Sequence, residues 1–430
     1  MEIQKIYKLF KENPFISTDT RNIKSNSLFF ALKGENFNGN KFAETALTSG
    51  AKFAIVDDPR FQLSNKYILV PNALACLQEL AAHHRKQLDI PIIGITGTNG
   101  KTTTKEITQA VLSQKYLCYA TKGNLNNQIG VPLSILEITG THDLAIIEMG
   151  ANHIGEIAEL CEISQPSIGL ITNIGKAHLE GFGSFDGVKK AKSELYNYLE
   201  KNDSPVFING DNAMLVALAD GLFHLTYGKS ERNQIIGRLE QRDDHLSLAW
   251  KKNKYFGHTL PISTNLVGDY NFENVLAAIC IGNYFEVSPE QITTGIESYL
   301  PNNNRSQLIN KNSNKIILDA YNANPVSLKA AIENLANSEQ SNKLAIIGDM
   351  KELGIYTMEE HQAIVDLIIE KSLDAILVGA NFSKTEHGNL KTFNSAKEIS
   401  TYLNKHPIKN SIILIKGSRS IELEKVVEFL

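Results

Sequence analysis

The chain is sparing with cysteine: four in 430 residues, and no C-x-x-C. Cys76, Cys118, Cys161 and Cys280 are scattered, which makes disulfides the weaker of two readings. Reduced structural thiols in a cytoplasmic protein are the expectation. Long apolar runs are missing too: none approaches the ~18–20 residues of a membrane-spanning helix, and Met1 to Ile6 open no core of signal-peptide length. Basic excess is absent, with a net charge of −4, so no nucleic-acid partner is expected. There are no internal repeats and no low-complexity tracts of note. What remains is globular in character, 42% hydrophobic and 21% charged, and too long for one core. Two or three domains of roughly 100–200 residues each follow from that length.

Three parts can be read along the chain. The first, residues 1–88, holds short mixed segments around Ser27–Leu32, Ala51–Val56 and Tyr67–Val70. The second, 89–300, contains the near-continuous apolar runs Leu144–Ile147 and Ile168–Ile171, which suit strands covered on both faces of a parallel sheet. The asparagine-rich stretch Leu300–Arg305 reads as a linker. In the third part, 301–430, apolar runs at Ile316–Leu318, Leu344–Ile347, Ala375–Val378 and Ile412–Ile415 alternate with helical stretches, the rhythm of βαβ units in a doubly wound sheet. The predicted class is therefore α/β in three domains. A small mixed N-terminal domain precedes a central parallel-sheet domain of the phosphate-loop ATPase type and a Rossmann-like C-terminal one. Polar groups end each C-terminal strand, at Asp319, Asp349, Gly379 and Lys416, and open α/β sheets bind ligands at that edge.

The most informative segment is Gly94 to Thr104, G-I-T-G-T-N-G-K-T-T-T, following the run Ile90–Ile93. A strand that breaks into glycines and enters a helix through Lys-Thr is the layout of a phosphate-binding loop. Backbone N–H groups of Gly97, Thr98, Asn99 and Gly100 can curl round phosphates. Lys101 can reach the β/γ oxygens, and the Thr102 hydroxyl, beside Thr103, can ligate Mg²⁺. The spacing differs from that of the common motor and switch proteins, since Ile95 stands where their first glycine would be. A chance Gly/Thr-rich turn is the alternative, and the flanking strand and Lys-Thr argue against it.

Three further residues have chemical potential. Glu148, directly after an apolar strand, could bind magnesium opposite Thr102, or simply cap a helix. His178, past another strand end, reads on its own as a structural hydrogen-bonding residue. Lys192 on its own reads as a solvated helix charge. These readings give a magnesium–nucleotide site and no second substrate.

The segments Asp19–Arg21, Leu28–Gly34, Gly97–Thr102, Gly123–Pro132, Glu148–Glu156, Ala177–Gly183, Tyr321–Pro325, Gly348–Gly354 and Lys416–Arg419 occur in this order over the whole chain. Together they resemble the Mur ligases, ATP-dependent amide-forming enzymes of peptidoglycan synthesis. The likeness is greatest to the branch that adds D-alanyl-D-alanine to UDP-N-acetylmuramoyl-tripeptide. The resemblance implies that Lys101 and Thr102 hold the β/γ-phosphates and a first Mg²⁺ of two, and that Glu148 and His178 serve the metals. Lys192 matches a lysine that relatives carry as an N-carbamate, which turns a cation into an anionic oxygen donor. Asn271 and Asn274 match an adenine-contacting segment, with Arg305 and Asp319 closing on ATP. Thr18, Asp19, Thr20, Arg21 and Asn38 would face the UDP end of the substrate. Asn124, Asn126 and Asn127 would lie along its cleft, with Tyr321, Asn324 and Lys416 also on the substrate side. Departures from the family pattern are Asn38-Gly39-Asn40 for Asp-Gly-His, Tyr270 for a histidine, Ser193 for a glycine, and no glycine before Arg305.

The implied reaction has two steps. A substrate carboxylate attacks the γ-phosphorus of ATP to give an acyl phosphate and ADP, and the dipeptide amine then displaces phosphate. The third domain would swing closed over ATP on hinges near Leu88 and Leu300 in a cytoplasmic, monomeric enzyme. A sister ligase adding another amino acid, or glutamate to folate, is one alternative. A regulatory nucleotide switch is the other, and Glu148, His178 and Lys192 together argue against it.

Overall fold

The computed structural model describes residues 3–240, 245–253, 259–302 and 304–430, so residue 303 of the linker read from sequence lies outside it. Three main sheets follow one another along the chain. The first has four parallel strands, side by side as Ile16–Ser17, Leu28–Phe30, Phe53–Val56 and Tyr67–Leu69. Phe30, Ile55 and Leu28 face a shared core and are fully buried. The helix Ala73–Arg85, started by the Asn72 side chain on Ala75 N, joins this unit to the next. Arg85 Nε donates to Ser164 O at 2.9 Å, and His84 Nε2 lies 2.8 Å from Ile138 O. Those bonds satisfy buried polar groups across the junction.

The second sheet has nine strands. Its middle is parallel, with Ile92–Thr96 between Leu144–Glu148 and Ile168–Ile171. All three are buried along their length, the state expected for strands with helices on both faces. The chain runs from Ile92–Thr96 out to the edge strand Cys118–Ala120, returns through Leu144–Glu148 and crosses to Ile168–Ile171. That reversal leaves a crevice at the C-terminal ends of the middle strands. At the far edge Ile235–Leu239, Ser247–Lys252 and Leu260–Ser263 pair antiparallel, an extension the sequence pattern did not reveal.

The third sheet carries all four apolar runs of the C-terminal part, in parallel, with Ile412–Lys416 between Asn314–Leu318 and Lys343–Gly348. An antiparallel edge strand, Gln307–Lys311, precedes them. The architecture is the three-part α/β arrangement expected. All four cysteines are free and buried, and burial pushes the Cys76 and Cys118 thiols up to about 12. Among the described residues no helix is long and apolar enough to cross a membrane.

Candidate active site

The loop after Ile92–Thr96 is held by the strand beside it. Thr98 N donates to Asn173 O at 2.9 Å, and Asn99 N donates to Asn173 Oδ1 at 2.9 Å. The Thr172 hydroxyl donates to Asn99 O at 2.6 Å. Two glycines are needed for this path. Gly97 stands at φ +144°, where a Cβ would meet Thr172 Oγ1, and Gly100 at φ +80°, where it would meet Asn274 Oδ1 at 2.4 Å. Gly100 also begins the helix Lys101–Leu112 with no side-chain cap, so the first helical N–H groups stay available to an anion.

Lys101 folds over this loop, its Nζ donating to Gly97 O at 2.8 Å and Thr98 O at 3.1 Å. Burial pulls its pKa down, Glu148 opposes that shift and Arg305 adds to it. One turn on, Lys105 is 2% exposed and donates to Thr121 O at 2.6 Å, with Glu148 Oε2 3.9 Å away. Glu148 is itself 1% exposed. Its Oε1 accepts from Asn126 Nδ2 at 2.7 Å, while Oε2 has no hydrogen-bond partner.

The loop opens onto a cavity of about 600 Å³ between the second and third units. Thr98 through Thr103 line it, with Asn124, Asn126, Asn127, Glu148 and His178 from the central unit and Asn271 and Asn274 from the start of its helix Phe272–Tyr284. The C-terminal unit adds Arg305, Asp319, Tyr321, Asn324 and Lys416. Arg305 lays its guanidinium 3.7 Å from the Tyr321 ring centre, and its Nε is buried without a partner. Lys416 Nζ is paired with Asp319 Oδ2 at 2.6 Å. Asn324 caps the helix Pro325–Ala336 and donates from Nδ2 to Asn99 Oδ1 at 2.7 Å, tying that unit to the phosphate loop. Asn271 and Asn274 bond each other, and Asn274 Oδ1 accepts from the Thr104 hydroxyl, so their amides brace the loop from behind.

Lys192 is not among the lining residues. It is 2% exposed on the helix Phe185–Lys201 and lies over the Phe182 ring at 5.5 Å. Burial first, and then the Lys101 charge, lower its pKa to about 7. His178 brings Nδ1 to 2.5 Å from Glu352 Oε2 of the C-terminal unit.

Matches to known families cover the three units in turn. Residues 13–85 match the Mur ligase family catalytic domain, 95–282 the Mur ligase middle domain, and 304–419 the Mur ligase glutamate ligase domain. Two UDP-N-acetylmuramoyl-tripeptide–D-alanyl-D-alanine ligases are similar over 96% of this chain. That of Bacillus subtilis (strain 168) is 34% identical with 92% of its length covered, and that of Synechocystis sp. 36% with 91% covered. The chain belongs to the Mur ligase family. Among solved structures, MurF from Acinetobacter baumannii superposes with a TM-score of 0.86 at 31% identity, covering 96% of this chain and 92% of that one. MurF ligase from Thermotoga maritima in complex with ADP gives 0.84 at 26% identity, with 96% of each chain covered.

Within this Mur ligase the first-unit residues stand away from the cavity lining. Thr18 precedes a turn, Thr20–Asn22, that is capped by Asp19, which accepts from Arg21 N and pairs with its guanidinium at 2.6 Å. Arg21 holds the Asp19 carboxyl down to about 2. Asn38 Oδ1 accepts from Asn40, and Asn40, fully buried, bonds Asp57 at both amide atoms. The Asn38-Gly39-Asn40 departure is thus a satisfied internal network. Sequence reasoning missed Lys105, Thr172, Asn173 and Glu352. The first of these lay one helical turn beyond Lys101 on the same face, a spacing that could have marked it.

Proposed function

We propose that this chain is an ATP-dependent ligase that joins D-alanyl-D-alanine to UDP-N-acetylmuramoyl-tripeptide through an acyl phosphate, in the cytoplasm. The observation that carries this reading is the convergence on one cavity of the phosphate loop, the asparagine segment 124–127 and the Arg305–Tyr321 wall. Residues 89–300 would bind ATP, 1–88 the UDP moiety, and 301–430 would close on ATP and the dipeptide.

Lys101, now held by two loop carbonyls, would exchange them for β/γ-phosphate oxygens as the triphosphate enters. The free N–H groups after Gly100 would take the remaining phosphate charge, and Arg305 would meet it from the opposite wall. Asn271 and Asn274 would border the adenine. Asn124, Asn126 and Asn127 would align the peptide carboxylate with the γ-phosphorus, with Tyr321, Asn324 and Lys416 beside the incoming dipeptide.

Among the described residues no three His, Cys, Asp or Glu side chains are grouped as a metal cage. That suits Mg²⁺, which takes one or two protein oxygens and shares substrate phosphates. Glu148 Oε2, which accepts no hydrogen bond, fits such a role, with the Thr102 hydroxyl and His178. Two ions bound there would neutralise charge between the carboxylate and the polyphosphate. A carbamate on Lys192 would add anionic oxygens, and an amine with a pKa of about 7 is about half neutral near that pH, the form that reacts with CO₂. In the second step the docked C-terminal unit would exclude water while the dipeptide amine attacks the carbonyl and phosphate departs.

The test is phosphate release with ATP, Mg²⁺, UDP-muramoyl-tripeptide and D-alanyl-D-alanine, each omitted in turn. Release needing all four, with the pentapeptide product by mass, supports the assignment. Release with a different amino acid or acceptor, and none with the dipeptide, refutes it.

A further inference from the structure

We infer that Glu352 is a positioning residue that orients the His178 imidazole, so that this side chain is set for the metal only when the C-terminal unit is docked. The inference rests on the ligase reading above, in which His178 faces Mg²⁺. Nδ1 of His178 and Oε2 of Glu352 are 2.5 Å apart, close enough for an ion pair though not aligned as a hydrogen bond. Facing the carboxylate, Nδ1 is the ring nitrogen that favours the proton, which leaves Nε2 to offer its lone pair to a cation.

The contact is built rather than incidental. His178 stands at φ +52° at the start of the short helix Leu179–Phe182, its ring edge-on to Phe182. Glu352 stands at φ +62°, and its carbonyl accepts from Glu180 N at 3.2 Å. Nearby, Lys176 Nζ pairs with Glu360 Oε1 at 2.7 Å. Gly354, at φ +55°, lies against Glu180, and Tyr356 packs on the core shared by the first two units. Glu352 is thus anchored by its own main chain and by the residues that follow it. The carboxylate comes from a different unit than the imidazole, so domain docking and ligand orientation are one event. The motif Gly348–Gly354, to which the reaction steps assign no role, acquires one here.

The experiment uses the full chain with ADP and Mn²⁺ in place of Mg²⁺, read by electron spin-echo modulation from imidazole nitrogen and by Mn²⁺ titration. The unchanged protein should show ¹⁴N modulation that H178A abolishes. E352A should weaken Mn²⁺ binding by about tenfold and reduce the modulation, the scale typical of a carboxylate behind a metal-bound histidine. E352Q, which keeps an oxygen acceptor for Nδ1–H, should restore most of it. E360Q, which breaks only the neighbouring ion pair, should stay within twofold of the unchanged protein. Unaltered affinity and modulation in E352A overturn the inference, as does an equal loss in E360Q, which would make docking alone responsible. Absent ¹⁴N modulation in the unchanged protein overturns the metal role of His178 and the inference with it, while the four-component phosphate assay still stands or falls separately.

Discussion

Replacing Gly97 by alanine tests whether the phosphate loop depends on one tight approach. The added Cβ would overlap Thr172 Oγ1, with Thr172 N at 3.1 Å and Asn173 N at 3.2 Å behind it. The backbone at φ +144° is also one that side chains rarely adopt. Strain of this kind costs on the order of 1–3 kcal/mol. Forcing a methyl into a packed site adds about 1–3 kcal/mol. The total, roughly 2–6 kcal/mol, falls on the loop conformation that presents its N–H groups to phosphate. Since about 1.4 kcal/mol is tenfold in affinity, ADP binding by calorimetry should weaken by at least roughly thirtyfold. T172A alone should lose about 1 kcal/mol with the bond to Asn99 O. Because T172A also removes the overlapping oxygen, the double variant should bind ADP better than G97A alone. An interaction of about 1–3 kcal/mol is expected in that cycle. ADP affinity of G97A within threefold of the unchanged protein refutes the reasoning, and so does a strictly additive double variant.

Three other perturbations follow from buried groups. Folding takes the Lys192 amine from 10.5 to about 7, so between those values the unfolded chain binds more protons than the folded one. Stability should therefore rise with pH across that window, by up to about 1.4 kcal/mol per unit, and hold no such slope below pH 7. K192M should remove that contribution in urea titrations run in CO₂-depleted buffer, and an unchanged slope would contradict the assignment. K105M leaves Glu148 buried without its nearby cation and frees Thr121 O, and should cost about 3–5 kcal/mol in denaturant unfolding. N324A loses both the start of the helix Pro325–Ala336 and the bridge to Asn99. Thermal unfolding should report a loss of about 1 kcal/mol, and scattering with ADP bound should report a less compact particle.

The three units were legible because parallel strands covered on both faces are continuous apolar runs, as at Leu144–Ile147 and Ile168–Ile171. The antiparallel strands from Ile235 to Ser263 were not. They have one partly exposed edge, and Ser247–Lys252 ends in two lysines that blur any period. Glu148 could be singled out because a carboxylate ending a buried strand is conspicuous. Lys192 could be singled out only through the family resemblance, since its neighbours Lys189 and Lys190 carry the same charge and only long-range packing makes it the buried one. His178 is equally silent when read on its own, because its partner Glu352 lies in another unit.

The same limit applies to the asparagines, and their chemistry explains why so many stand at the loop. Asn173, Asn99 and Asn324 form a relay from the neighbouring strand through the loop to the C-terminal unit, while Asn271 and Asn274 bond each other and reach the Thr104 hydroxyl. Asn173 both accepts from Asn99 N and donates from Nδ2 to Asn99 O at 3.1 Å. An amide provides donor and acceptor at once, without net charge. A carboxylate in those places would repel the triphosphate, and an ammonium would compete with Lys101 for it or oppose a divalent ion. Neutral amides let this part of the framework be rigid without adding to the charges already on the cavity wall, among them Lys101, Arg305, Glu148 and the Asp319–Lys416 pair. Around the phosphate loop the shape is held by residues that carry no charge.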